Sequence, residues 1–275
     1  MAITHFIPAI WAAEMQGQYW ETAVFAPLVN QDFKGDLSVG NTVHITGVVP
    51  PKIKDYKAAG RTTNAEETSD TGVDLLIDQE KNFDFFVDDI DKAQAAGSMD
   101  KYNEAASLGL AEDSDKYIAN TIVTGASPIA NTKAPTTGDE AYNIVADLML
   151  ALNQAHVPTA GRILAINAMF HRMLVDASSK ITNVDTSGDP QGLREATVGR
   201  LLGFRIVSTE NLPLTARPQA VAFNRAHTAY VSQIQKVEAM RAQNKFADRL
   251  RGLHVYGAKT IRPEAGAVFT AAAPK

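Results

Sequence analysis

The sequence predicts an α+β protein in which extended β segments flank one compact α/β unit. β-branched and alternating stretches dominate residues 30–82 and return after residue 236, whereas residues 128–235 alternate helical and strand patterns. The 275 residues are 45% hydrophobic and 21% charged, which is typical of a folded chain that buries a sizeable core. Because it has no cysteine, the chain has no disulfide, thiolate metal site or cysteine nucleophile. Its net charge of −5 disfavours nucleic-acid binding driven by overall charge.

The first 29 residues carry an aromatic pattern that is unusual for the start of a globular domain. Trp11, Met15 and Tyr19 recur every four residues, which places them on one face of a helix, and Trp20 is the second tryptophan of the chain. The segment either packs on its own core or forms an arm whose aromatic face packs on another subunit. Tryptophan and tyrosine are favoured anchors of subunit contacts.

Residues 30–81 favour a long two-stranded hairpin. The stretch 42–49 is rich in β-branched residues and ends at two prolines, and strand character resumes at 73–77. Between them, residues 58–72 are polar and have no apolar pattern. An isolated hairpin is only marginally stable in water. We therefore expect this hairpin to lie on another surface.

The remaining elements alternate along the chain. A helix is expected at 98–123, with Ser98 as its N-cap. Its predicted packing side holds Tyr102, Ala106, Leu110 and Tyr117. The α/β unit is expected to contain helices at 139–155 and 168–176 and strands at 162–166, 203–208 and 219–223.

Four aspartates form the most suggestive cluster of the sequence. Asp84, Asp88, Asp89 and Asp91 are dense enough to hold a hard cation such as Mg²⁺ or Ca²⁺, but they lack the glycine and glutamate of an EF-hand loop. The alternatives are a solvated or salt-bridged junction between a strand and a helix, or partner arginines on another subunit.

Four basic residues near the C-terminus form a second charged group. Arg241, Lys245, Arg249 and Arg251 share odd parity, so in one strand they would face one way, with Glu238 and Asp248 on the other side. They could contact phosphates without reading base sequence. They could equally be surface charges or form salt bridges between chains.

The rest of the sequence offers no support for catalysis. The six histidines are scattered without the spacing of a metal pair, and each is expected to be a surface or packing residue. The longest apolar runs are too short to span a membrane. We therefore assign no catalytic residue, cofactor or resident metal.

Five stretches, in order, resemble the major capsid proteins of tailed double-stranded-DNA bacteriophages, which have the Hong Kong 97 fold. The branch they resemble is typified by the coat protein of phage P-twenty-two. They are IWAAEM (10–15), DFKGDLSVGNTVHI (32–45), IDQEKNFDFFVDDIDKAQA (77–95), GFRIVSTENLP (203–213) and RGLHVYGAKTIRPEA (251–265). Together they reach from the N-terminal arm to the last strand, so the resemblance covers nearly the whole chain.

The resemblance implies a division of the chain into named parts. These parts are an N-terminal arm (1–29), an extended E-loop hairpin (30–81), a peripheral domain with a spine helix (82–127 and 236–275) and an axial domain (128–235). One departure is that residues 128–235 are too few to hold the inserted β domain of that branch beside the axial core. Lysines for covalent cross-linking are present on the hairpin, but no motif identifies their partners, and cross-linking is not predicted.

The resemblance also implies a function. Copies of the chain are expected to form hexamers and pentamers of an icosahedral head, assembled in the host bacterial cytoplasm with a separate scaffolding protein and a portal, around non-specifically bound double-stranded DNA. Extended arms are stable only when neighbours bury them, which agrees with a shell. The residues expected at subunit contacts are Trp11, Tyr19, Trp20, Lys52, Lys54, Asp55, Tyr56, Asp84, Asp88, Asp89 and Asp91. The alternatives are an encapsulin-like compartment and a carboxylate-metal hydrolase.

Overall fold

The computed structural model describes residues 24–33, 41–48, 53–58, 60–63, 70–88, 100–175, 199–242 and 244–273. Helices and strands both occur in these ranges, which confirms the predicted α+β class. The helices are α1 (Asp100–Gly125), α2 (Gly138–Gln154) and α3 (Ala168–Leu174). The strands are β1 (Thr42–Val48), β2 (Asp70–Leu76), β3 (Gln79–Asp88), β4 (Ser127–Pro128), β5 (Arg162–Ile166), β6 (Arg200–Leu201), β7 (Phe204–Ser208), β8 (Gln219–Asn224), β9 (Thr228–Arg241), β10 (Ala247–Thr260) and β11 (Gly266–Thr270).

The described strands are organised in three sheets. β1 and β2 pair as an antiparallel ribbon, from Thr42 opposite Leu76 to Val48 opposite Asp70. The long strands β9 and β10 form a hairpin, and β3 pairs with the other edge of β10. The third sheet has the order β4-β11-β8-β5-β7-β6 and is mixed, because β5 runs parallel to β7 and antiparallel to β8.

The six-stranded sheet is covered on both faces. Its strand β5 is buried along its whole length. Ile163 and Ala165 pack into a core shared with α1, whereas Leu164 and Ile166 pack into a second core with α2 and α3. A strand covered on both faces is apolar at consecutive positions, and this pattern is what predicted β5 from the sequence.

The start of α2 is set by hydrogen bonds from its first turn. The Thr137 side chain accepts a hydrogen bond from the Glu140 N–H at 3.3 Å. The Glu140 carboxylate in turn accepts from Lys133 Nζ at 2.8 Å and from the Thr136 N–H at 2.7 Å. The Lys133 ammonium first, and then the Thr136 donors, lower the pKa of Glu140 to about 2. With these hydrogen bonds the helix begins at Gly138, one residue before its predicted start at residue 139.

α1 buries a different face from the one that the sequence pattern predicted. Leu110 and Tyr117 are only half-buried. The fully covered positions are Ala111, Ser114, Asp115, Ile118, Ala119 and Ile122. The prediction was wrong because this covered face includes two polar residues, so the apolar spacing of the helix did not reveal it. The predicted N-cap Ser98 lies outside the described residues.

The last strand, β11, joins the six-stranded sheet, whereas β10, which precedes it in the chain, belongs to the three-stranded sheet. β11 lies between β4 and β8, so it extends the sheet built by residues 128–235. β9 also continues past residue 235, although its register with β10 shifts at this point, where Lys236 is opposite Leu253 and Ile234 is opposite His254. The division into a peripheral domain (82–127 and 236–275) and an axial domain (128–235) stays a prediction. β11 belongs to the peripheral domain by its position in the chain, but it pairs in the sheet of the axial domain.

Candidate assembly surfaces

The base of the β1–β2 hairpin is anchored in the core. Its apolar side chains pack on β9 and β10, in a cluster made of Val43, Ile45, Leu75, Ile77, Ala229, Val231 and Val255. Each of the four hairpin residues is 8% exposed or less. A two-stranded ribbon has no core of its own, so this burial supplies its stability. The expectation that the hairpin lies on another surface is confirmed for its base.

The far end of the hairpin is exposed and is shaped by local hydrogen bonds. The Asp55 carboxylate accepts from the Lys57 N–H at 2.9 Å and from the Ala58 N–H at 3.3 Å. Ile53 is fully exposed, and Tyr56 is 54% exposed. Two apolar side chains at the end of a projecting element form a surface that another copy of the chain can cover.

The predicted contact residues of the arm and hairpin are only partly described. Lys54, Asp55 and Tyr56 are exposed at the hairpin end, and Asp55 also shapes the turn. Lys52 lies outside the described residues, as do Trp11, Tyr19 and Trp20. Their roles at subunit contacts stay predictions. Ile53, which no sequence pattern singled out, is more exposed than Tyr56.

A buried carboxylate holds the last part of the predicted arm (1–29). Asp115 of α1 is 1% exposed, and its oxygens accept from the Val24 N–H at 2.8 Å and from the Phe25 N–H at 3.3 Å. Burial raises the pKa of Asp115, and the hydrogen bonds from Val24 and Phe25 oppose that rise. Phe25 and Val29 are fully buried in the core shared with α1. Asp115 was not among the predicted residues, because its only signal in the sequence is a carboxylate spaced with Ala111 and Ile118 on one helical face.

The aspartate cluster divides between described and undescribed residues. Asp84 on β3 binds Arg249 on β10, with Nε 2.8 Å from Oδ1 and a second contact from Nη2 to Oδ2. The hydrogen bond from Arg249 lowers the pKa of Asp84. Asp88 ends β3, and its side chain lies outside the described residues together with Asp89 and Asp91. Asp84 is thus salt-bridged within its own chain, which is one of the alternatives that the sequence left open. Among the described residues, no group of three or more His, Asp or Glu could hold a metal ion.

The basic group near the C-terminus has a different geometry from the predicted one. The expected separation from Glu238 and Asp248 is wrong, because the chain turns between β9 and β10 and brings opposite charges together. The contacts are Arg241 Nη1 to Asp248 at 2.8 Å, Arg251 Nε to Glu238 at 2.8 Å, and Arg249 to Asp84. Lys245 is exposed in the turn. Phosphate contacts by the three arginines stay a prediction, and they would have to displace carboxylates that are already bound.

The end of the three-stranded sheet carries exposed apolar side chains. Phe86, Arg249 and Met240 are directly opposite one another on β3, β10 and β9, so they lie in one row. The Arg249 guanidinium lies 5.5 Å from the centre of the Phe86 ring. Phe86 is 55% exposed and Phe246, in the turn beyond, is 83% exposed. This end is a second surface suited to contact with another copy.

Two of the six histidines are buried packing residues. His227 is fully buried, with Nδ1 2.7 Å from the Thr228 hydroxyl, and a Cβ at Gly266 would lie only 2.3 Å from its Nε2. His254 is 1% exposed, and its ring lies 4.9 Å from that of Tyr256. Burial lowers the pKa of each of these histidines to about 4.

These two pKa values predict a loss of stability in mild acid. In the unfolded chain a histidine titrates near pH 6.5, so below that pH the unfolded state binds more protons than the folded state. We expect the free energy of unfolding to be constant above about pH 7 and to fall between pH 6.5 and 4, by roughly 3 kcal/mol for each residue. Urea unfolding across this range measures the effect. His227→Gln should reduce the fall by about half, because His254 still titrates, and the matched change at exposed His156 should leave the fall unchanged. Identical curves for all three proteins would contradict the assignment.

Comparison with known proteins shows the family to which the chain belongs. A model of the phage capsid proteins matches residues 73–269, which is most of the chain. The chain belongs to the phage capsid protein family. A chain from the solved structure of Mycobacterium phage Che8 is 51% identical to this capsid protein, with a TM-score of 0.83 and 90% of each chain covered.

More distant structures share the fold of this capsid protein. The capsid structure of the cyanophage P-SCSP1u is 18% identical, with a TM-score of 0.77 and coverage of 92% of this chain and 89% of that one. A virus-like particle from Pyrococcus furiosus is 13% identical, with a TM-score of 0.60 and coverage of 96% and 99%. At these identities the likeness concerns the fold alone. No curated protein gives a significant match.

The family defines what the exposed surfaces are for. A phage capsid protein is a structural subunit whose copies assemble into the shell of the virion. The hairpin end and the apolar end of the three-stranded sheet are therefore candidate surfaces between subunits. None of the described helices combines the length and hydropathy that crossing a membrane requires.

Proposed function

We propose that this capsid protein builds the icosahedral head of a tailed phage through rings of six and five copies, and that the shell encloses double-stranded DNA. The observation that carries the proposal is the hairpin, whose base is buried on β9 and β10 while its end projects with Ile53 and Tyr56 exposed. A neighbouring subunit can bury the exposed side chains of Ile53 and Tyr56. Closed rings let every copy both give and receive such a contact.

The parts of the chain have separate roles in this proposal. Residues 1–29 are an arm that packs on a neighbour through Trp11, Tyr19 and Trp20, and the hairpin lies across another neighbour. Residues 82–127 with 236–275 form the peripheral domain, and 128–235 form the axial domain near the ring centre. A separate scaffolding protein and a portal complete the head, and assembly takes place in the host bacterial cytoplasm.

The first test is the assembly state of the expressed full-length chain. Size-exclusion chromatography with light scattering, followed by negative-stain microscopy, should show closed shells or rings of five and six. A monomer at every concentration, with and without an added scaffolding protein, would contradict the proposal. Shells that fill with a cargo protein rather than DNA during infection would favour the encapsulin-like compartment instead.

A single charge at the hairpin end should block assembly without unfolding the subunit. Ile53→Asp places a carboxylate where the proposal buries an apolar side chain, and desolvating an unpaired charge costs several kcal/mol. We expect the shell fraction in negative stain to fall at least roughly tenfold, with an unchanged melting temperature, because Ile53 is fully exposed in the monomer. Thr63→Asp adds the same charge at an exposed polar position of the same hairpin and should assemble normally. Equal assembly by both variants would remove the hairpin end from the subunit contact.

A further inference from the structure

A concavity beside Pro27 and Leu28 is lined by four arginines. Arg162 begins β5, Arg200 and Arg205 lie on β6 and β7, and Arg225 follows β8. Pro27 and Leu28, next to the residues that Asp115 holds, close one side of it. The described residues that line this concavity include no aspartate or glutamate.

The first unusual feature is a buried cation without an anion. Arg162 is 3% exposed, and its guanidinium donates to the backbone oxygens of Pro158 at 3.0 Å and Val157 at 2.5 Å. Both acceptors are neutral. Burial lowers the pKa of Arg162, but a guanidinium stays charged in proteins. A buried charge is normally paired with an opposite one, and no described carboxylate lies within ion-pair distance of this one.

The second feature is a pair of like charges. Arg200 and Arg205 are directly opposite each other on the antiparallel strands β6 and β7. Like charges at directly opposite positions destabilise a strand pair. Neither side chain has an ion-pair partner among the described residues, in contrast to Arg241, Arg249 and Arg251. An anion held between them would convert repulsion into attraction.

The rim of the concavity supplies only a weak counter-charge. Arg225 Nη2 lies 3.4 Å from Asp32 Oδ1, and both side chains are more than half exposed. An exposed pair at this distance contributes little and is screened by salt. Arg225 can therefore turn toward an anion that enters the concavity.

We propose that the four arginines form a binding site for a phosphate oxyanion, either a phosphodiester of DNA or free inorganic phosphate. The planar guanidinium matches phosphate geometry in a bidentate manner, and four such groups in one concavity exceed the charge of one phosphate. The DNA source of this phosphate rests on the proposed function, whereas binding of free phosphate does not. The site also explains why like charges persist in so short a strand pair.

The test compares two double variants of the full-length subunit before assembly. Arg200→Gln with Arg205→Gln removes two charges from the site, and Arg172→Gln with Lys259→Gln removes two charges elsewhere. Arg200, Arg205, Arg172 and Lys259 are all exposed, so neither protein should melt below the wild type, and loss of the opposed charges should slightly stabilise the site variant. The probes are inorganic phosphate, followed by calorimetry, and a short mixed-sequence DNA duplex, followed by fluorescence anisotropy over a range of salt concentrations.

We expect the site variant to bind phosphate at least about tenfold more weakly, and the matched variant to bind it within about twofold of wild type. For the duplex, the site variant should lower the slope of log affinity against log salt by about two, one for each lost contact. Loss of phosphate binding alone would identify free phosphate as the source, and loss of both would include DNA.

Two outcomes overturn the proposal. One is equal binding of both probes by wild type and both variants. The other is a wild type that binds neither probe, together with a site variant that is the only variant unable to assemble. In that case the arginines would bind a carboxylate of another copy of the chain. Shells without phosphate binding would reject this site and leave the proposed function intact. Phosphate binding by a protein that forms no rings or shells would support this site and contradict the proposed function.

Discussion

Replacing Asp115 with alanine is expected to detach Val24 and Phe25 from α1 and to destabilise the subunit by roughly 3 kcal/mol. The carboxylate accepts the Val24 and Phe25 N–H groups at 2.8 and 3.3 Å, inside a site where Asp115 is 1% exposed. Each buried donor that loses its acceptor costs about 1–3 kcal/mol. Because Val24 and Phe25 lie in the last part of the proposed arm (1–29), the same change should also loosen the arm and lower the yield of shells.

Urea unfolding measures the first effect, and limited proteolysis measures the second. We expect cleavage near residue 24 to appear in Asp115→Ala at protease levels that leave the wild type intact. Asp115→Asn retains one acceptor oxygen and should be intermediate. The matched control is Glu112→Ala, which removes an exposed carboxylate from the same helix and should change stability by less than about 0.5 kcal/mol. A stable, protease-resistant Asp115→Ala protein would show that Phe25 and Val29 alone hold the segment.

Adding one methyl group at Gly257 is expected to shift the base of the hairpin. A Cβ at this position of β10 would lie 2.3 Å from the Leu76 carbonyl oxygen and 3.0 Å from the Ile77 Cα. Both are backbone atoms, which cannot move aside by changing rotamer, so the hairpin itself must move. Forcing extra volume into such a contact costs typically 1–3 kcal/mol. β1 and β2 have seven residues each and extend roughly 23 Å, so a small shift at the base is enlarged at the end that carries Ile53.

Gly257→Ala should therefore lower the melting temperature and, more strongly, the fraction of subunits in regular shells. Hydrogen exchange should rise in β1 and β2 more than in the six-stranded sheet. Gly72→Ala is the matched control, because a Cβ at this position of β2 meets no atom within 4 Å. It should be neutral or slightly stabilising. Normal shells from Gly257→Ala would mean that the hairpin position is set by neighbouring subunits rather than by β10.

The parts of the fold that could be predicted are those whose pattern is local. β5 is a run of apolar residues, α2 has an amphipathic spacing, and the hairpin strands are β-branched segments around a polar stretch. Each of these signals lies within a few residues of chain, and each element formed within a few residues of its expected position. The face of α1 could not be predicted in this way, because Asp115 is buried for the sake of backbone groups some 90 residues away in the chain.

By itself, the sequence determined the α+β class, the order of the elements that it predicted, the hairpin and the resemblance to a capsid family, but it did not predict β3, β4 or β6. Only the tertiary structure decided which charges meet. Parity along one strand separated Arg251 from Glu238, but the β9–β10 turn placed them side by side. Likewise, Arg162, the Arg200–Arg205 pair and Arg225 are far apart in the chain and share one concavity only because β5, β7 and β8 are neighbours in the sheet. Secondary structure follows from local pattern, whereas a site depends on contacts between distant segments, and these are set when the sheets and helices pack around a common core.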